Sequence, residues 1–152
     1  MIHKAPKIAA ILYLLWGVIH IIGGVAMLNA SATGADAFLQ LLTGNASAGL
    51  IATSSAPTAP GLLATSKVFA FHSFNLIWLG LLASVIAVRL NWKNSSFGHW
   101  LNLAIVGFAD LGLIVFMVLP GVIRFSDAWI GPALLIPALV FSTLGRFQQT
   151  PA

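Results

Sequence analysis

Residues 98–120 read GHWLNLAIVGFADLGLIVFMVLP, an apolar run long enough to cross a lipid bilayer as a single helix. One carboxylate, Asp110, lies near the middle of this run. An ionisable side chain at that depth costs about 3 kcal/mol or more unless it is paired, neutralised or hydrated. We therefore expect the other helices to supply a partner for Asp110 or a polar cavity around it.

The composition indicates a membrane protein. Of 152 residues, 59% are hydrophobic and 7% are charged, whereas a soluble domain carries roughly 25% charged residues. The net charge of +4 would suggest nucleic-acid binding in a soluble chain. Most of the Lys and Arg residues flank apolar runs, however, where they set topology and contact lipid headgroups. We expect the lipid bilayer as a partner and no nucleic acid. The chain has no cysteine, so disulfides and thiolate ligands are excluded.

Four apolar segments predict an all-α fold, an integral membrane four-helix bundle with antiparallel, up-and-down helices in a single domain. The predicted spans are residues 8–29, 67–90, 98–120 and 128–146. The Ala-Ser-Ala sequence at 30–32 also suits signal-peptide cleavage. The apolar run before it is longer than the roughly 7–15 residues of a signal peptide, so we interpret it as a span.

The connections between the spans contain helix-breaking residues. The outer loop, residues 30–66, is low in charge, and residues 35–45 within it can form a short helix at the membrane interface. Ser66 is the expected N-cap of the second span, and Pro120 is expected to end the third. Pro137 lies within the fourth span, where we expect it to kink the helix.

The distribution of cations predicts the topology, because cytoplasmic segments are enriched in Lys and Arg. With the N-terminus inside, the inner segments hold Lys4, Lys7, Arg89, Lys93 and Arg146, and the outer segments hold Lys67 and Arg124. We therefore predict that both termini are cytoplasmic. A bacterial inner membrane is the expected location.

Four polar residues on three predicted spans fall at similar depth. At about 1.5 Å of rise per residue, His20, Asn75 and Asp110 lie within about 5 Å of one another along the bilayer normal. His72 precedes Asn75 by one helical turn and lies further out. We predict that these four residues form a buried polar cluster, which is the candidate ligand or proton-handling site.

Two further polar residues, His99 and Asn102, lie on the same face of the third span as Asp110. His99 is at the inner end of that span, about 16 Å from Asp110 along the helix. They are second-tier candidates for the site. Trp16 and Trp78 are expected to be packing residues whose indole N–H groups bind local acceptors.

The residue types in the cluster fit several functions. His20 and His72 are potential axial ligands of a haem, and with Asp110 they match the two-His, one-carboxylate set of a non-haem metal site. Their estimated depths differ by about 7 Å, which disfavours haem. Alternatively, Asp110 handles protons or a quinone with a histidine as relay, or the whole cluster is hydrogen-bonded and fixes the helices.

The favoured interpretation is a non-enzymatic accessory, scaffold or lipid- or ligand-binding subunit of a homo-oligomer or a larger membrane complex. The chain is small, and the seam Gly80-x-x-x-Ser84 indicates close helix contact. One alternative is a redox or cofactor-binding protein in which His20, His72 and Asp110 hold haem or a metal ion. Another is a small oligomeric transporter with Asp110 as its coupling acid.

Overall fold

The computed structural model describes residues 4–34, 37, 41 and 59–147, and these ranges are helical apart from turns, with no strand among them. Four helices are long and apolar enough to cross a membrane, which confirms the predicted all-helical class. The elements are α1 (Ala5–Thr33), α2 (Ala59–Arg89), a 3₁₀ turn (Asn91–Lys93), α3 (Ser96–Leu113) with a π-helical extension (Ile114–Val118), the short α4 (Phe125–Ala128) and α5 (Ile130–Phe147).

The four long helices form a ring in which α1 and α3 occupy opposite corners. Helix α1 packs against α2 and α5, and α3 packs against the same two helices. Neighbours are antiparallel: Gly17 of α1 lies beside Gly80 of α2, whereas Gly24, further along α1, lies beside Ser73, which comes earlier in α2. A side-chain contact between α1 and α3 must therefore reach across the centre of the ring.

Helices α1 and α2 approach each other closely at a pair of glycines. A Cβ atom built on Gly80 would lie 2.6 Å from the carbonyl oxygen of Gly17 and 3.0 Å from Cγ1 of Ile21. The Ser84 hydroxyl packs against Gly17 at the same crossing and donates a hydrogen bond to the Gly80 carbonyl at 2.8 Å. The small-residue seam seen in the sequence thus lies at a helix contact.

The connection between α1 and α2 is shorter than predicted. Helix α1 continues to Thr33 and α2 begins at Ala59, so the predicted loop at 30–66 loses residues at both ends. The uncharged residues that flank each predicted span continue the helix beyond it. The short interfacial helix predicted at 35–45 lies outside the described residues, except for two helical positions.

The prediction that Ser66 caps the second span is wrong. Ser66 lies about two turns inside α2, and its hydroxyl donates a hydrogen bond to the Ser31 carbonyl of α1 at 2.7 Å. The error comes from Pro60, because the sequence alone does not distinguish a proline in a loop from one in the first turn of a helix. Proline is tolerated in the first turn of a helix, where its missing N–H would have no intrahelical partner.

The C-terminal end of α3 departs from regular α-helix. Its hydrogen bonding becomes π-helical at Ile114–Val118, and the chain then turns at Pro120 and Gly121, where Gly121 has a left-handed φ of 76°. A helix end at Pro120 was predicted. Helix α5 begins at Ile130, two residues later than predicted, and Pro137 lies within it. The kink at Pro137 stays a prediction.

The interior of the ring holds small and polar side chains together with a few large ones such as Trp16, whereas most of the large apolar side chains lie on its outside. The buried apolar core consists of Ala9, Tyr13, Trp16, Ala83, Ala87, Val106 and Ala138. On the outside, Phe108 is 73% exposed and Phe116 is 74% exposed, and all four long helices present exposed large apolar residues. Soluble monomers rarely expose contiguous apolar surface on this scale.

Candidate functional site

Asp110 lies in the centre of the ring and is bound by a tryptophan from the opposite helix. Its side chain is 2% exposed, and Oδ1 accepts a hydrogen bond of 3.1 Å from Nε1–H of Trp16, which is fully buried. This bond joins α1 and α3 across the diagonal of the ring. Oδ2 of Asp110 is also buried and has no hydrogen-bond partner within the described part of the chain.

Trp16 was predicted to bind a local acceptor, and that prediction is wrong. Its acceptor, Asp110, is 94 residues away in sequence. The local carbonyl oxygens of α1 are used by the helix's own hydrogen bonds, whereas the carboxylate faces the indole from the opposite side of the ring. Trp16 is therefore a site residue that the sequence did not reveal.

His20 contacts the other side of this tryptophan. The two rings are stacked with their centroids 3.6 Å apart and an interplanar angle of 21°. Nδ1 of His20 lies 2.8 Å from the Trp16 carbonyl oxygen. Because a carbonyl oxygen only accepts, Nδ1 carries the proton, which leaves Nε2 as the acceptor when the ring is neutral. Trp16 thus lies between His20 and Asp110.

Helix α5 covers the carboxylate with a glycine. A Cβ atom built on Gly131 would lie 2.7 Å from Oδ1 of Asp110 and 3.3 Å from Oδ2. Gly131 is itself buried. The absence of a side chain at this position allows the backbone of α5 to pack directly against the carboxylate.

We expect Gly131→Ala to lower the free energy of unfolding by about 1–3 kcal/mol, because the added methyl group would displace the Asp110 carboxylate from the Trp16 N–H. Tryptophan fluorescence during denaturant titration in detergent micelles measures the change. Gly112→Ala is the matched control, since no atom of the described residues outside its own helix backbone lies within 4 Å of a Cβ built there. Equal destabilisation by the two substitutions would contradict the close packing of Gly131 on Asp110.

The other two predicted cluster residues lie away from this group. His72 is exposed and Asn75 is half-buried. Neither forms a hydrogen bond with Asp110 or His20 in the described structure. The buried face of α2 is formed by small residues, Ser73, Gly80 and Ala83 among them, which pack inside the ring. His72 is displaced by about 100° from Ser73 around the helix and therefore faces outward.

Among the described residues, no group of three or more His, Cys, Asp or Glu side chains is close enough together to hold a metal ion. Of the predicted haem or metal ligands, His20 is half-buried against Trp16, whereas His72 is exposed. The structure brings together Trp16, His20, Asp110 and Gly131, which we call the diagonal site.

The second-tier residues His99 and Asn102 are buried in the N-terminal half of α3. Nδ1 of His99 lies 2.6 Å from the Ser142 hydroxyl of α5, and the Tyr13 hydroxyl faces Ser142 without hydrogen-bond geometry. The Asn102 side-chain amide donates to Oδ1 of Asn91 at 3.0 Å, while its own Oδ1 has no described partner. A second group of polar side chains thus lies below the diagonal site.

This inner group contains a serine and a histidine at a distance typical of a nucleophile and its base. Ser142 is 5% exposed and His99 is 8% exposed, so neither is open to a substrate from outside the ring. Tyr13, Asn91 and Ser142 were not predicted as site residues. Their only sequence signal is their position on the buried face of their elements, and that face is defined by the packing.

Comparison with known proteins gave no match. No known family model matches the sequence, no curated protein matches it, and no solved structure matches the fold. The functional interpretation therefore depends on the geometry of the two polar groups and on the surface of the ring.

Proposed function

We propose that the chain is an integral membrane protein whose four long helices span the bilayer. The length and apolarity of these helices support this proposal, as does the exposure of large apolar side chains around the ring. Exposed Trp92 and Trp100 at the inner end and Trp129 at the outer end fit the aromatic belts of membrane proteins. We place both termini in the cytoplasm and the protein in a bacterial inner membrane, following the cation distribution.

Within that membrane, the protein acts as a non-enzymatic accessory or scaffold subunit. The observation that carries this proposal is the hydrogen bond from Trp16 to Asp110 across the ring. It uses the buried acid to connect two helices that hardly pack against each other. Interhelical hydrogen bonds of this kind fix helix positions in membrane bundles and require no ligand.

The face of α3 that points away from the centre of the ring is the proposed surface for a second copy or a partner subunit. Helix α3 is the least buried of the four long helices. Its outer face carries aromatic side chains along its length, including Phe97, Trp100, Phe108 and Phe116. Large aromatic residues are enriched in protein interfaces, because each buries a large apolar area in a defined conformation.

A second candidate function is that of a small transporter with Asp110 as the coupling acid. The observation in its favour is the buried Oδ2 of Asp110, which has no partner in the described structure. A free carboxylate oxygen at membrane depth can take up and release a proton or bind a cation. His20, stacked on the same tryptophan, would be the neighbouring proton carrier.

The substitution Asp110→Asn separates the two candidates, because asparagine keeps an oxygen acceptor for the Trp16 N–H and removes the titratable group. If the protein is a scaffold, the Asp110→Asn variant should keep its fold and restore the phenotype of a strain that lacks the gene. Asp110→Leu removes the acceptor as well. We expect this variant to lose both its fold and its ability to restore the phenotype. A folded Asp110→Asn protein that fails to restore the phenotype would contradict the scaffold role and favour the coupling acid.

The alternative that His20, His72 and Asp110 hold haem or a metal ion is tested on the purified protein. The protein is purified in mild detergent, and its absorption spectrum and metal content are measured. The scaffold proposal predicts a colourless protein without stoichiometric metal. A Soret band or a bound metal that disappears in His20→Ala would overturn it.

A further inference from the structure

Three distant parts of the chain meet at the inner end of the ring. A Cβ atom built on Gly145, near the end of α5, would lie 2.8 Å from Cγ of Pro6 in the first turn of α1 and 3.2 Å from Oδ1 of Asn94 in the α2–α3 turn. The Asn94 side-chain amide also donates a hydrogen bond of 2.7 Å to the Gly145 carbonyl. Pro6, Asn94 and Gly145 thus form a three-way junction.

Each residue of this junction has a cation as its sequence neighbour. Lys7 follows Pro6, Lys93 precedes Asn94 and Arg146 follows Gly145. Nζ of Lys7 lies 5.7 Å from the centroid of the Trp92 ring, and the Arg146 guanidinium donates to the Asn94 carbonyl at 2.9 Å. Lys7 and Lys93 are exposed. The junction therefore gathers three positive charges from three separate elements.

No carboxylate lies at this end among the described residues. Asp110 is buried inside the ring, and Asp127 belongs to α4 at the opposite end. Lys4, also exposed, adds a further charge just before α1, and the first turn of α1 has neither an acidic residue nor a side-chain cap. Its unpaired N–H groups increase the positive potential. The exposed charges of Lys4, Lys7 and Lys93 repel one another, and an anion bound beside them relieves that repulsion.

We propose that this cationic junction, in which Lys4, Lys7 and Lys93 are exposed and Arg146 holds Asn94, binds the phosphate of an anionic phospholipid through its lysines. The proposal rests on the membrane insertion proposed above, which places the inner ends of the helices among the lipid headgroups. Basic pockets between helices at this depth bind anionic lipid headgroups. Trp92, which Lys7 contacts, is exposed, as is Trp100 in the first turns of α3, and both suit the headgroup region.

The test measures lipid binding to the intact protein in a non-ionic detergent by native mass spectrometry. Phosphatidylglycerol and phosphatidylcholine with identical acyl chains are added separately, and we expect the protein to prefer phosphatidylglycerol. Lys7→Gln with Lys93→Gln should weaken phosphatidylglycerol binding about 30-fold, from roughly fivefold per lysine. Arg146 is left unchanged because it supports the junction through Asn94.

The matched control is the double variant Lys67→Gln with Arg124→Gln, which removes two positive charges from the opposite end of the ring. Both of these residues are exposed, and we expect their replacement to leave phosphatidylglycerol binding unchanged. Equal binding of the two lipids by the unmodified protein would overturn the proposal, as would equal losses in the two double variants. Full competition by millimolar inorganic phosphate would also overturn it, because the site would then bind a free anion.

A variant with one substitution controls for misfolding of the double variant. Lys93→Gln alone leaves the Lys7–Trp92 contact intact, and it should weaken phosphatidylglycerol binding about fivefold with an unchanged unfolding midpoint. Carbonate extraction of membranes tests the insertion itself. A chain released by carbonate would refute the proposed membrane function, whereas a retained chain without lipid preference would refute only the lipid site.

Discussion

Trp16→Ala should lower the free energy of unfolding by about 3–5 kcal/mol, a range typical of large aromatic truncations in a packed interior. The Trp16 side chain is 0% exposed and contributes to the buried core of the ring. Its removal would leave a cavity and would also deprive Asp110 of the N–H that its Oδ1 accepts. A buried carboxylate without a donor adds its own cost to that of the cavity.

Denaturant titration in detergent micelles, followed by far-UV circular dichroism, measures this loss. Trp78→Ala is the matched control, because Trp78 is a tryptophan of α2 that is 54% exposed; we expect a change below about 1 kcal/mol there. Trp16→Phe keeps most of the ring volume and removes the donor, so it should cost about 1–3 kcal/mol. Similar losses for Trp16→Ala and Trp78→Ala would contradict the central role of Trp16.

The helical architecture could be predicted from the sequence because hydropathy depends on composition over about 20 residues and needs no tertiary information. The position of Asp110 within α3 followed from the same pattern, and so did the common face of His99, Asn102 and Asp110, all of which are buried. Helix boundaries at prolines could not be predicted from the sequence in the same way, since Pro60 lies in the first turn of a helix whereas Pro120 follows the end of one.

The members of the diagonal site could not all be predicted, because depth along a helix is readable from the sequence but rotation about its axis is not. By depth alone, His72 and Asn75 are expected near Asp110. Packing of the small residues Ser73 and Gly80 then rotates α2 so that His72 faces outward. The same packing decides which indole reaches across the ring, so the role of Trp16 appears only in three dimensions.

Gly80→Val should separate α1 from α2 and cost about 3 kcal/mol, at the upper end of the range for overpacked sites. A Cβ atom at this position would lie 2.6 Å from the backbone oxygen of Gly17 and 3.1 Å from the backbone nitrogen of Ile21. A backbone group cannot move aside as a side chain can, so the helices themselves must shift. Because α1 carries Trp16, we also expect the indole N–H to lose its alignment with Asp110.

Unfolding titrations and the emission maximum of tryptophan measure the two consequences of Gly80→Val. Gly23→Val is the matched control: Gly23 is also a helix-interior glycine, but in the part of the chain that the structure describes no neighbouring helix or side chain lies within 4 Å of a Cβ built there. Both variants make the same local change from glycine to a β-branched residue, so their difference isolates the tertiary contact. If they destabilise the protein equally, helix propensity accounts for the effect. If only Gly80→Val does so, the close approach of α1 and α2 sets the rotation of α1 that brings Trp16 to Asp110.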